Sequence, residues 1–197
     1  MDVISKTIYA LRQLEYNIDD KAVKQLRERI ELTGVVTLTG VGKSFGVAQL
    51  GASLLQSVGY HASAIHTTDF LHGGLGTISR IDRNVIIFIS HSGQTEEVLD
   101  AQHIAELHSS NGSIITAAVT GNHQSELAER CNIALTYQID EDGSKHGTIP
   151  TVSVAVQLAI LNTLVCNVAD ALTTEQLGSY HPGGTLHEKY EEKIASE

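Results

Sequence analysis

Asn84-Val85-Ile86-Ile87-Phe88-Ile89-Ser90 runs directly into His91-Ser92-Gly93-Gln94-Thr95-Glu96-Glu97. An unbroken run of β-branched and aromatic residues this short is a strand covered on both faces, the kind found in parallel sheets. Helical periodicity resumes from Thr95 to Leu107. The unit is therefore strand, short polar loop, helix, and the rest of the chain repeats it.

Upstream, Val35-Val36-Thr37-Leu38-Thr39 lies between Gly34 and Gly40 and reads as a buried strand, followed by a helix over Gly42–Gly59 and a strand over His61–His66. Downstream, a strand over Ser113–Val119, a short helix over Ser125–Arg130 and a strand over Ile133–Ile139 follow. A long helix is expected from Pro150 to Leu172, with the proline in its first turn. Ile4, Ile8, Leu11 and Leu14, then Ala22, Leu26 and Ile30, mark two amphipathic helices before the first strand. Alternating strands and helices with short connections demand right-handed parallel crossovers. The expected fold is α/β: an open three-layer sandwich around a five-stranded parallel sheet, with an N-terminal helical pair, in a single domain over residues 1–197.

Composition narrows the function. With 42% hydrophobic and 18% charged residues the 197-residue chain has enough apolar material for a core. A net charge of −10 argues against nucleic-acid or anionic-membrane partners, which select basic surfaces. Cys131 and Cys166 match no metal or redox spacing and read as buried thiols of a reducing compartment. The N-terminus shows no basic leader followed by an apolar stretch, and Val152–Val165 is interrupted by Gln157 and Asn162, so a cytoplasmic location is expected.

Ligands of open parallel sheets bind at the carboxyl ends of the strands. After the first strand stands Gly40-Val41-Gly42-Lys43-Ser44. A P-loop needs glycine where Thr37 stands, and a dinucleotide fingerprint needs glycine where Phe45 stands, so neither nucleotide motif applies. A glycine turn with a lysine at its mouth remains. After the third strand, Ser90, Ser92 and Thr95 around Gly93 provide more hydroxyls than a helix cap requires, which points to phosphate. Glu96 and Glu97 follow; an acid beside a bound phosphate is electrostatically awkward, so one of them suits proton transfer. Ser44 and Thr151 are further hydroxyl candidates from neighbouring strand ends. His66 and His72 flank the loop after the second strand, and with 10 histidines this is the best-represented proton carrier near neutral pH.

Gly42-Lys43-Ser44, Leu71-His72-Gly73-Gly74-Leu75-Gly76, Ser90 to Glu97, Thr120-Gly121-Asn122, Ile149-Pro150-Thr151 and Ser179-Tyr180-His181-Pro182-Gly183-Gly184 stand in the order of the sugar isomerase (SIS) domain. The chain resembles most closely the D-arabinose 5-phosphate isomerases of the Kdo pathway, over nearly its whole length. The resemblance implies interconversion of D-ribulose 5-phosphate and D-arabinose 5-phosphate without a required cofactor. It places the catalytic groups on Lys43, Glu97, Asp142 and His181 and a substrate contact on His72; with the polar residues of the strand-end loops, the expected substrate contacts are Ser44, His66, His72, Ser90, Ser92, Gln94, Thr95 and Thr151. It also implies an adventitious, inhibitory zinc at His66, a phosphorylated pentose as partner, and a homotetramer that shares its active sites.

The sequence departs from the family pattern in places. The second catalytic glutamate falls on Asp142, one methylene shorter, with Glu141 beside it as a stand-in. Gln94 replaces the usual Glu and His91 the usual Asn of the serine-rich loop, and the paired CBS modules of many relatives are absent up to Glu197. The competing readings are an isomerase of a hexulose or heptulose phosphate and a non-catalytic sugar-phosphate sensor. A sensor needs the hydroxyl loop but has no use for Lys43, Glu97 and His181 together.

Overall fold

The computed structural model describes residues 2–78, 83–109 and 112–196. Two helices, α1 (Val3–Asn17) and α2 (Asp20–Thr33), precede β1 (Val35–Gly40). Each starts on an aspartate: Asp2 accepts the Ser5 N–H at 2.8 Å, and Asp19 accepts those of Lys21 and Ala22. Gly34 ends α2 in the left-handed conformation, φ 68°, its N–H donating to the Ile30 carbonyl. Then come α3 (Lys43–Ser57), β2 (His61–His66), a crossover built of α4 (Thr67–Asp69), a π-helical turn (Phe70–Gly74) and α5 (Leu75–Ile78), and β3 (Asn84–Ile89). The chain continues through α6 (Glu96–Leu107), β4 (Ile114–Thr120), α7 (Glu126–Arg130), β5 (Ile133–Thr136), α8 (Val152–Ala169), α9 (Thr174–Ser179) and α10 (Gly184–Ile194).

The sheet is wholly parallel, in the order β2-β1-β3-β4-β5. β3 lies at its centre with all six residues buried. Alternation divides its side chains: Val85, Ile87 and Ile89 join the core formed with α1, α2, α3 and α8, while Ile86 and Phe88 join the one formed with the π-helical turn, α5, α6 and α7. Helices cover both faces, which is the expected three-layer sandwich.

The chain leaves β1 toward β2 and returns to pair β3 on the other side of β1, so the crevice between the carboxyl ends of β1 and β3 is the topological switch point. Gly40 pairs with Ile89 there, and a Cβ on Gly40 would stand 2.9 Å from the Ile89 carbonyl oxygen. Only glycine lets the two strand ends approach this closely.

Three local expectations change. β5 stops at Thr136, because β4 ends at Thr120 and leaves only the Tyr137 N–H to Thr120 carbonyl bond beyond it. α8 starts at Val152, two residues past Pro150, where a buried carboxylate from a distant loop takes the first amides. Cys166 is exposed rather than buried, since it lies on the face of α8 that also exposes Asn162; Cys131 is half-buried, and burial pushes its thiol up to about 12. At 18 residues α8 is long and apolar enough to cross a bilayer, yet half of it is buried against other helices and it carries buried Ser153 and Gln157. It is a core helix.

Candidate active site

A cleft of about 290 Å³ opens at the switch point, lined by Lys43 and Ser44 from α3, Ser90 to Ser92 and Thr95 from the loop after β3, and Asp142, Ser153 and Gln157 at the start of α8. Three helix N-termini therefore converge on it. No side chain caps α3, whose N-cap is Gly42 at φ 58°, and none caps α6. Thr95 occupies the capping position of α6, but its hydroxyl is 3.0 Å from the Ser90 hydroxyl instead. Ser90 Oγ accepts the Gly93 N–H at 3.1 Å and Ser92 Oγ that of Gln94 at 3.2 Å, which holds the loop open. Gly93, at φ 63°, lies so close to Ser125 that a Cβ would stand 2.2 Å from its hydroxyl. Ordinary capping thus does not explain these hydroxyls. Uncapped amides at a positive dipole end, beside hydroxyls and Lys43, form a receptor for an anion.

The third helix end is closed. Asp142 is 8% exposed; its Oδ1 accepts the N–H groups of Thr151 at 3.0 Å and Ser153 at 2.9 Å, and both carboxylate oxygens accept from the Ser153 hydroxyl. Thr151 Oγ1 in turn accepts the Gly143 N–H at 2.9 Å. Asp142 therefore faces the cleft, while Glu141 turns away to pair with Lys6 of α1, which holds its carboxyl below the usual range. Of the two carboxylates, Asp142 lines the cleft and Glu141 does not.

The other residues named from the sequence are spread more widely. Glu97 stands exposed on the first turn of α6, between Thr95 and Val98 of the cleft wall; Gln94 is exposed on the loop before it. His66 ends β2 beside Gly40, with its ring edge-on to Phe45 at 5.0 Å and Nδ1 accepting the Thr68 N–H at 3.2 Å. His72 is exposed at the kink of the π-helical turn, next to Gly73 at φ 115°. Among the described residues no three His, Cys, Asp or Glu side chains come together as a metal site.

His181 is not in this cleft. It follows α9, its Nδ1 lies 2.8 Å from the Leu177 carbonyl, and its ring lies 5.5 Å from Tyr190 of α10. The adjacent Tyr180 ring packs over Gly59, in the turn that enters β2. That is the amino end of a six-residue strand, about 20 Å from the carboxyl end.

Sequence reasoning did not assign a role to His91, Tyr137, Ser153 or Gln157. His91 lines the cleft, and its Nδ1 lies 2.9 Å from the Tyr137 hydroxyl. Gln157 donates to that hydroxyl at 3.0 Å and accepts from Ser44 at 3.3 Å. The available signal was Gln157 itself, a polar residue inside an apolar helical run. A larger depression of about 330 Å³ lies beyond Tyr137, lined by Gln13, Leu14, Asn17, His123, Thr136 and Gln138. Among the described residues it has no lysine, arginine or carboxylate in its lining, which leaves the smaller cleft as the better candidate site.

Comparison with known proteins agrees with the fold. A Rickettsia prowazekii protein of uncharacterised function is 32% identical over 186 residues, 93% of this chain and 56% of its own length. The arabinose 5-phosphate isomerase KpsF of Escherichia coli is 29% identical over 189 residues, 94% of this chain and 56% of its own. The chain thus spans a little over half the length of these relatives. A crystallised protein of Escherichia coli CFT073, solved in complex with arabinose 5-phosphate, superposes with a TM-score of 0.78 at 25% identity, over 91% of this chain and 95% of that one. The SIS domain family model matches residues 34–166, from the end of α2 through most of α8, and so takes in the sheet and every helix end that meets at the cleft. With the parallel sheet, the switch-point crevice and that match in agreement, this chain belongs to the SIS domain family.

Proposed function

We propose that the protein is an aldose–ketose isomerase that interconverts D-ribulose 5-phosphate and D-arabinose 5-phosphate. The observation that carries the reading is the cleft at the β1/β3 switch point, where two uncapped helix N-termini meet a hydroxyl-lined loop and a lysine. The likeness to proteins named arabinose 5-phosphate isomerase supports the choice of sugar. In this reading the phosphate sits at the α6 end against Ser90, Ser92, Gln94 and Thr95, with Ser44 and Thr151 as neighbours. His66 and His72, from the crossover side, contact the sugar.

In the aldose-to-ketose direction Glu97 takes the proton from C2, and the electron pair left behind forms the C1–C2 double bond. The negative charge moves to the carbonyl oxygen on C1, where Lys43 stabilises it. Glu97 then returns its proton to C1, while His181 carries the hydroxyl proton from O2 to O1. Asp142 keeps α8 in place at the cleft floor. Because His181 lies at the opposite end of its own sheet, the reading draws this group from a neighbouring chain of a homo-oligomer, taken as a tetramer. The exposed Ile4, Ile8 and Tyr16 on α1 are consistent with such an assembly.

The test is incubation with a panel of pentulose, hexulose and heptulose phosphates, with and without chelator, and identification of the aldose by NMR. D-Arabinose 5-phosphate should form from D-ribulose 5-phosphate at the same rate in both conditions. A different aldose would reassign the substrate, and tight binding without turnover would make the protein a sensor.

A further inference from the structure

His91, in the loop after β3, is exposed, yet its ring is held from two sides and its backbone from a third. It stacks on Tyr137, with centroids 5.7 Å apart and planes at 27°. Its Nδ1–Cε1 edge lies over Gly121, where a Cβ would come within 2.5 Å of Nδ1. Its carbonyl accepts the Gly121 N–H at 2.9 Å and the Thr120 hydroxyl at 3.3 Å. The ring is thus fixed although the residue borders open solvent, and among the described residues Nε2 has no hydrogen-bond partner.

Hydrogen-bond direction along the buried chain behind it decides which nitrogen carries the proton. Ser44 Oγ donates to Gln157 Oε1, and Gln157 Nε2 donates to the Tyr137 oxygen. Tyr137 is buried, which pushes its phenol up, so it keeps its one proton, and His91 Nδ1 is the acceptor that remains for it. Nδ1 then holds no proton, and neutral His91 carries its N–H on Nε2.

We propose that Tyr137 and Gln157 are positioning residues that lock His91 as an Nε2–H donor to the phosphate of the bound sugar. This rests on the phosphate reading of the cleft. It adds a fixed donor between Ser90 and Ser92, in a loop whose two hydroxyls are partly engaged with each other's neighbours.

The experiment is long-range proton–nitrogen NMR of the labelled full chain, titrated with inorganic phosphate. Free protein should show His91 protonated at Nε2 and bare at Nδ1, and phosphate should move the Nε2–H resonance together with the Ser92 and Glu97 amides. Tyr137→Phe removes only a hydroxyl; it should leave His91 as a mixture of tautomers and raise KM about tenfold with a much smaller fall in kcat. A proton on Nδ1 in the free wild-type protein would overturn the proposal without any variant. So would phosphate that moves the two amides but leaves Nε2 unchanged. Amides that also stay unmoved would remove the phosphate reading itself, and the proposal with it.

Discussion

Replacing Asp142 by alanine removes the acceptor for two backbone N–H groups and one hydroxyl at the start of α8, the Ser153 pair buried and the Thr151 N–H partly so. Losing an N-cap costs about 1 kcal/mol. Each hydrogen bond to a charged acceptor contributes about 1.5–3 kcal/mol, but here they share one carboxylate and do not add. Water entering the adjacent cleft restores part of the loss, which leaves about 3 kcal/mol. For a chain of 197 residues each kcal/mol moves the melting temperature by about 2–4 °C, so Asp142→Ala should melt about 6–12 °C lower. Asp142→Asn keeps an oxygen for the two amides and loses the charge facing the helix dipole, about 1 kcal/mol, or about 2–4 °C. Thermal unfolding followed by far-UV circular dichroism reads both. If the alanine variant melts within about 2 °C of the parent, the carboxylate is not what holds α8 in place, and the geometric reasoning about it is wrong.

Lys43→Ala and Glu97→Ala should each lower turnover by about 100- to 10,000-fold with an unchanged dichroism spectrum, and a near-parental rate in either variant removes that residue from the mechanism. Ser92→Asp places a negative charge beside the uncapped α6 end; KM should rise sharply while the melting temperature stays close to the parent's, and an unaltered KM would place the phosphate elsewhere. Mixing inactive Lys43→Ala chains with inactive His181→Ala chains should recover part of the activity, because some mixed sites draw both residues from intact copies. No recovery after demonstrated subunit exchange would mean that each chain builds its own site.

The sheet could be read from the sequence because strands such as Val85–Ile89 are short, continuous and bounded by polar loops, and periodicity carries that information directly. Its strand order could not. Nothing in the sequence of β1 or β3 says that they are neighbours, and so the crevice at Gly40 and Ile89 became visible only with the topology. Lys43, Ser90, Ser92 and Thr95 were legible because they follow strands, and the family resemblance placed Asp142. Tyr137 and Gln157 were not, since a tyrosine at a strand end and a glutamine in an apolar helix announce nothing until a histidine from a third element meets them. The C-terminal residues form α9 and α10, which pack on each other, and α10 buries none of its own residues. The one apolar row of α10, Leu186, Tyr190 and Ile194, is narrow and set among charged residues, so periodicity shows that helix only faintly.

Thr95 could close its own helix and does not. By turning its hydroxyl to Ser90 it forgoes about 1 kcal/mol that an engaged cap would supply, and α3 begins equally open at Gly42. The unliganded protein is for that reason less stable than its sequence allows. An anion bound at these ends recovers the difference through linkage, and occupancy by ligand at a hundred times its dissociation constant adds about 2.7 kcal/mol. Thermal tolerance of this chain is then a property of the medium it works in as much as of its own contacts. A search for hardier variants that screens the unliganded protein would reward side chains that plug the helix ends, and would select against the very groups that make the cleft receptive.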